Sequence, residues 1–318
     1  SILLYGGTII PGKYKNKDVD IVNAFQSYGE LLKNKISLNE REQLLRVCCD
    51  KDGGSCSGMY TCNTMAAISE VLGLSLPFSS TNPANSNHKL KECKKINKYI
   101  YNCINNNITP RSIVTKDSFI NAIKLTQILG GSTNAVIHLI SIAKEFEIDL
   151  TLNDFEINSD LPILGNLKPI GKYSVNDLYK NDKGMPIIIN YLINNQIIDG
   201  NTKTITGYTL AENYEMLNIP KLKFNDDIIY PINNPFKKKC VIQVFRGNLC
   251  PQGSIGKINT NKKNFRGITK VYNCENDLIK DLNNNKILDN TVIVIRNQGP
   301  KGGPGMPEML KPSSALIG

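Results

Sequence analysis

The feature that most limits the fold is a change of hydrophobic period near residue 230. Ahead of it, apolar residues recur at helical spacing over residues 21–33, 63–72, 117–129 and 135–146, with Gly73 placed to end the second of these. Residues 174–179 and 186–195 read as helices too, ending near Asp199-Gly200, and residues 2–5 read as a buried strand. The stretch Tyr230-Pro231-Ile232-Asn233-Asn234-Pro235 is rich in turn residues and suits a linker. Behind it come short β-like runs at 240–245, 254–258, 268–272 and 291–295, with a helix expected over 275–283. The expected fold is therefore α/β: a large α/β domain over 1–229, then a smaller β-rich, barrel-like domain over 230–318. No internal repeat is visible.

With 318 residues, 41 % of them hydrophobic and 21 % charged, the chain has a globular protein's composition and can bury a large core. No apolar run reaches the ~20 residues of a membrane helix. The opening Ser1-Ile2-Leu3-Leu4-Tyr5-Gly6-Gly7 lacks the basic head and apolar stretch of a signal peptide. Without an initiator Met, and with no polar tail after Ser313, both ends read as cut.

The formal net charge of +10 invites a nucleic-acid partner. Lys, Asn and Ile are abundant throughout, however, as in Asn283-Asn284-Asn285-Lys286, and an AT-rich coding sequence explains that pattern first. The basic residues are scattered and do not line one helix with interleaved aromatics, so no nucleic-acid partner and no membrane are expected. The nine cysteines and two histidines form no Cys-x-x-Cys pair and no grouping with zinc spacing. Size and hydrophobic content favour a reducing compartment over a disulfide scaffold. Most of Cys62, Cys93, Cys103, Cys240, Cys250 and Cys274 read as small buried hydrophobes.

Three segments could carry chemistry. In Gly53-Gly54-Ser55-Cys56-Ser57-Gly58-Met59-Tyr60-Thr61, glycines around Cys56 let the backbone approach a bulky ligand, and the following helix start favours a thiolate, which iron requires. An inert thiol in a turn before a helix has the same pattern, and on this segment alone that reading comes first. Gly130-Gly131-Ser132-Thr133-Asn134 precedes a helix, so free N–H groups and the hydroxyls of Ser132 and Thr133 could receive a carboxylate or phosphate. It lacks the Lys-Ser/Thr ending of a P-loop and equally suits a capped helix start. Gly299-Pro300-Lys301-Gly302-Gly303-Pro304-Gly305-Met306-Pro307-Glu308 is too dense in Gly and Pro for helix or strand and presents the carboxylate of Glu308, suited to a hard cation or simply to solvent.

Together these segments resemble one family, the dihydroxy-acid dehydratases of the dihydroxy-acid/phosphogluconate dehydratase group. The resemblance is carried by Tyr5-Gly6-Gly7-Thr8-Ile9, Asp18-Val19-Asp20-Ile21-Val22, the Cys56 segment with Asn63-Thr64-Met65-Ala66, and Leu72-Gly73-Leu74-Ser75-Leu76-Pro77. Leu129 through Leu139, Gly171-Lys172-Tyr173, Gly247-Asn248-Leu249 and the Gly-Pro loop ending at Glu308 continue it in the family's order over nearly the whole chain. It implies that Cys56 is one of three cysteines holding an iron–sulfur cluster, the two-iron type ahead of the four-iron type, and that Glu308 is a Mg2+ ligand. It implies that two further cysteines, a magnesium-binding Asp and a Cys-Asp-Lys motif with a carbamylated Lys lie before Ser1; separately, the anion-site reading of the 130–134 turn makes Ser132, Thr133 and Asn134 the expected contacts of the substrate carboxylate. No catalytic residue is assigned within the chain, because the base, a Ser, is expected beyond Gly318.

Cys49-Asp50-Lys51 spells the same tripeptide but stands behind the strand expected at 2–5, where the family has it ahead, and is read as a coincidence. Three departures concern fine geometry: the loop at Asp50-Lys51-Asp52 is about one residue longer, Ser57 replaces a common Gly, and Ile170 replaces a usual Ser near the substrate. The implied reaction is loss of water from a 2,3-dihydroxy-3-methyl acid to give a branched 2-keto acid in valine and isoleucine synthesis. The alternatives are a sugar-acid dehydratase of the same superfamily and an inactive gene fragment, and the piece alone is expected to be inactive. The complete protein would be a homodimer acting on a small dihydroxy acid, cytoplasmic in a bacterium and mitochondrial or plastid in a eukaryote.

Overall fold

From Ser118 to Ile128 only Lys124 is charged, and a helix so poor in charge belongs in an interior. Phe119, Ala122, Ile123 and Ile128 are indeed fully enclosed there. The computed structural model describes residues 1–49, 53–180, 184–224, 227–258, 264–299 and 309–317. Contacts divide the chain into two units: Ser1–Ile10 with Lys51–Asn259, and Pro11–Asp50 with Thr260–Gly318. This grouping differs from a linear division at 229/230, because residues 11–50 pack with the end of the chain.

In chain order the first elements are β1 (Gly12–Tyr14), β2 (Lys17–Val19), α1 (Ile21–Leu32) and α2 (Leu38–Val47). The larger unit follows with α3 (Thr61–Val71), α4 (Asn87–Asn105), α5 (Pro110–Ile113), α6 (Lys116–Ile128), α7 (Asn134–Glu145), α8 (Leu152–Ile157), α9 (Val175–Lys180), α10 (Gly184–Asn194), α11 (Leu210–Met216), β3 (Ile242–Phe245) and β4 (Ser254–Lys257). The chain closes with β5 (Ile268–Tyr272), α12 (Glu275–Asn283), β6 (Thr291–Ile295) and α13 (Leu310–Ile317).

In the larger unit α6 is the axis. Phe119, Ile123 and Ile128 join Ile68 and Val71 of α3, Leu139 of α7 and Ile188 and Leu192 of α10 in one core. Beside that core lies a buried polar knot. Glu70 of α3 accepts from the Phe78 amide (3.0 Å) and the Tyr214 hydroxyl (2.9 Å) on one oxygen. Its other oxygen accepts from the Ser80 amide (3.1 Å) and hydroxyl (2.5 Å). Burial pushes the Glu70 carboxyl up from its ordinary value, and the four donors pull the other way.

The smaller unit opens on a hairpin in which Lys15 and Asn16 both take positive φ, the geometry of a type I′ turn. Asp20 caps α1, and Gly29 of α1 lies against α13 so closely that a Cβ there would stand 2.2 Å from the Ala315 carbonyl oxygen. β5 and β6 pair in parallel across α12, a βαβ crossover.

The structure is thus mixed helix and sheet, with helices filling the first two-thirds. The β character of the last third amounts to two-stranded sheets, β3–β4 antiparallel and β5–β6 parallel, and no closed barrel forms among the described residues. Residues 2–5 make no strand: Leu3 reaches the Leu74 carbonyl by a single bond at 2.8 Å, with no ladder beside it. The buried-cysteine expectation holds for Cys103 and Cys240, while Cys62, Cys93 and Cys250 are exposed and Cys274 is half-buried. Cys62 and Cys93 lie on outward faces of helices and Cys250 in the turn before β4, where the chain pattern sets exposure. No described helix is long and apolar enough to cross a membrane.

Two substitutions test this packing. Glu70→Gln turns an amide donor toward groups that are already donating, and urea unfolding should show a loss of about 2–4 kcal/mol. Gly29→Ala forces α1 away from the α13 backbone and should lower stability by about 1–3 kcal/mol on the same scale.

Candidate active site

Cys56 is held through its backbone. Its carbonyl accepts from the Thr8 hydroxyl and from the Asn63 amide, each at 2.7 Å, and the Ile9 amide approaches at 3.4 Å. Gly54 takes φ +130°, and a Cβ on it would fall 2.7 Å from Ile9 Cα, so the loop presses directly on residues 7–9. Ser55 is held there too, its amide donating to the Gly7 carbonyl at 3.0 Å. The thiol itself is half-buried.

Asn63, in the first turn of α3, organises this loop. Its Nδ2 donates to the carbonyls of Cys56 (2.7 Å) and Gly58 (2.8 Å) and its Oδ1 accepts from the Tyr5 hydroxyl (2.7 Å). The Tyr5 hydroxyl also meets Ser55 Oγ. Burial pushes the Tyr5 phenol well above its ordinary range, with the nearby thiols of Cys62 and Cys56 adding to the effect.

The turn 130–134 meets the same helix. Ser132 Oγ pairs with Thr61 Oγ1 at 3.1 Å, Asn134 Nδ2 donates to Thr61 Oγ1 at 3.1 Å, and the Ser132 amide donates to Thr64 Oγ1 at 3.1 Å. The two sequence segments, 71 residues apart at Thr61 and Ser132, therefore share the first turn of α3. The expectation of free amides is corrected in part. The Asn134 amide donates to Ser132 Oγ, Ala135 to the Ser132 carbonyl and Val136 to the Thr133 carbonyl, because the turn closes on itself as α7 begins. The side chains of Ser132, Thr133 and Asn134 remain half-buried and within reach of a ligand.

Residues 168–175 form the third wall. The Met59 amide donates to the Lys168 carbonyl and the Val175 amide to the Ser57 carbonyl, both at 2.7 Å. Ile170 lies over Gly130, its Cγ1 3.1 Å from where a Cβ would stand. From β4, Lys257 reaches the turn and donates to the carbonyls of Gly130 (2.9 Å) and Gly131 (2.7 Å).

Sequence reasoning overlooked Tyr5, Asn63, Thr61, Thr64 and Lys257 as site residues. Asn63 and Thr64 carried a signal, being neighbouring polar residues in a helix whose middle, Met65–Ile68, is apolar. Lys257 carried only its place at the end of a β-like run. Glu308 lies outside the described residues, as do Asp50 and Lys51. Among the described residues no group of three or more His, Cys, Asp or Glu side chains is arranged to hold a metal ion. Cys56 fits one corner of a cluster: a reachable sulfur on a rigid backbone. One thiolate alone holds no cluster.

The sequence matches the family described as dihydroxy-acid/6-phosphogluconate dehydratase, its N-terminal part over residues 1–213 and its C-terminal part over residues 227–318. The dihydroxy-acid dehydratase of Flavobacterium psychrophilum is 44 % identical over 320 residues, covering 100 % of this chain and 57 % of its own length. The mitochondrial dihydroxy-acid dehydratase of Aspergillus fumigatus is 48 % identical, covering 100 % and 53 %, and the chloroplastic one of Arabidopsis thaliana 46 %, covering 100 % and 52 %. The chain thus spans little more than half the length of these curated relatives. With both parts of the family matched in order and the Cys56 and Gly130 segments meeting on one helix, the chain belongs to the dihydroxy-acid/6-phosphogluconate dehydratase family.

Proposed function

We propose that the protein takes part in removing water from 2,3-dihydroxy-3-methyl carboxylic acids, giving branched 2-keto acids in valine and isoleucine synthesis, as a hydro-lyase. The observation that carries this reading is the meeting of the Cys56 loop, the turn 130–134 and residues 168–175 around the first turn of α3. The relatives' names, all dihydroxy-acid dehydratases, support this substrate over the sugar acids that the family's description also covers.

In this reading Cys56 donates one sulfur to an iron–sulfur cluster, taken as the two-iron type, and Glu308 binds Mg2+. Bound there, these groups would supply Lewis acidity toward the departing C3 hydroxyl. The chain's own part is to bind and orient. Ser132, Thr133 and Asn134 present hydroxyls and an amide to the carboxylate, while Asn63 keeps the Cys56 backbone from shifting. Loss of the C2 proton to a base and of the C3 hydroxyl as water leaves an enol, which becomes the ketone.

The remaining readings belong to the same proposal. They are a homodimer, with a cytoplasmic place in a bacterium or a mitochondrial or plastid one in a eukaryote; the relatives include mitochondrial, chloroplastic and bacterial proteins. The division into 1–229 and 230–318 is supported by the break between the two family matches, at residues 213 and 227. The barrel-like arrangement of the last third is supported by β5 and β6, whose outer edges have no strand partner among the described residues and call for cover.

The protein produced with its flanking coding sequence and reconstituted anaerobically with iron, sulfide and Mg2+ should convert 2,3-dihydroxy-3-methylbutanoate at least about tenfold faster than gluconate or 6-phosphogluconate. The opposite preference would move the assignment to sugar acids. Cys56→Ser should abolish the visible absorbance of the reconstituted protein, and retained absorbance would remove Cys56 from the ligand set. Asn63→Ala removes the donor that the Cys56 and Gly58 carbonyls share, which should cost about 1–3 kcal/mol in urea unfolding and hasten alkylation of Cys56 by iodoacetamide.

A further inference from the structure

Lys257 stands out because its ammonium is turned inward and, among the described residues, has no carboxylate partner. Its two acceptors are the carbonyls that follow the last turn of α6, where the backbone reverses at Gly130 with φ +62°. The Gly130 amide donates to the Gln127 carbonyl (3.1 Å) and the Gly131 amide to the Thr126 carbonyl (2.8 Å), the bonding of a glycine-ended helix. The end of a helix carries partial negative charge, so a cation belongs there, and bonds from a charged donor are about twice as strong as neutral ones. Thr64 holds the Ser132 amide from the opposite side. The turn is therefore gripped by Lys257 before Ser132 and by α3 at Ser132, which places a positive charge one residue from the side chains offered to substrate. Burial pushes this ammonium down to about 8, in keeping with its enclosed position.

We infer that Lys257 is the positioning residue of the substrate turn: it fixes Ser132, Thr133 and Asn134 and lends their site the positive charge that selects a carboxylate-bearing 2-hydroxy acid. This rests on the reading of that turn as a substrate site. The test uses 2-hydroxy-3-methylbutanoate as a probe, its binding followed by ligand-observed NMR, together with hydrogen exchange on the full chain. Lys257→Met should weaken probe binding about tenfold, the equivalent of about 1.4 kcal/mol. It should also speed exchange over residues 130–136 while leaving α10 unchanged. Lys257→Arg, which keeps the charge and can donate to both carbonyls, should restore both. Wild-type affinity in Lys257→Met overturns the inference, and so does faster exchange without weaker binding, which would leave a structural clamp only. Absence of probe binding in the wild-type protein also overturns it. If the Met variant does not fold, the Arg variant decides: probe binding within about threefold of wild type supports the inference, and a folded Arg variant that loses binding overturns it. Dehydratase turnover is measured separately, so failure of the proposed reaction and failure of the role given to Lys257 give different results.

Discussion

One carboxamide holds the cysteine loop in place. Asn63 is buried in the first turn of its helix and joins two stretches of chain, at Tyr5 and at Cys56–Gly58, that otherwise have only a few isolated bonds between them. A buried amide with its donors and acceptor paired is stabilising, and the same amide with one partner removed is a liability, so the geometry tolerates little drift. Rigidity of this sort is what the ligand role proposed for Cys56 would require.

The neighbouring turn is organised by a different force. Two glycines let α6 end and reverse within a space where Thr64 and Thr126 leave no room for a side chain at Gly131. A charge-assisted pair of bonds then closes the reversal. Polar groups thus converge where the apolar core thins out, and the core supplies the stiffness behind them: α3 and α6 both face it along their lengths. Ile170 adds a hydrocarbon surface over Gly130, which keeps this wall of the site apolar.

Much of the secondary structure was legible. The helices at 21–33, 63–72, 117–129 and 135–146 and the strands at 254–258, 268–272 and 291–295 appear within a residue or two of where apolar spacing put them. α4 was missed although Leu90, Cys93, Ile96, Ile100 and Cys103 recur at three- and four-residue spacing behind the capping Ser86, because the Asn and Lys residues between them give the stretch the look of a polar loop. The β1–β2 hairpin escaped for a related reason, since its turn is Lys15-Asn16 rather than a glycine pair. Cys56 and the turn 130–134 were visible as motifs, but their meeting on α3 was not, because that contact joins residues 71 apart through short hydroxyl side chains. Lys257 was the least visible of all. A lone lysine near the end of a β-like run reads as solvent-facing, and only tertiary structure turns it inward.

Residues 1–10 and 51–259 form one unit although forty residues, Pro11–Asp50, separate them and belong to the other. Both ends of that excursion are tied down within the larger unit, with the Ile9 amide on the Cys56 carbonyl and the Ser55 amide on the Gly7 carbonyl. A detour whose entry and exit lie side by side can change length at little entropic cost, since the penalty for closing it grows only with the logarithm of its size. Residues 11–50 can thus change length in their loops at little cost, whereas Gly29, seated against the Ala315 backbone, and the short pieces that pin the two ends have no such freedom.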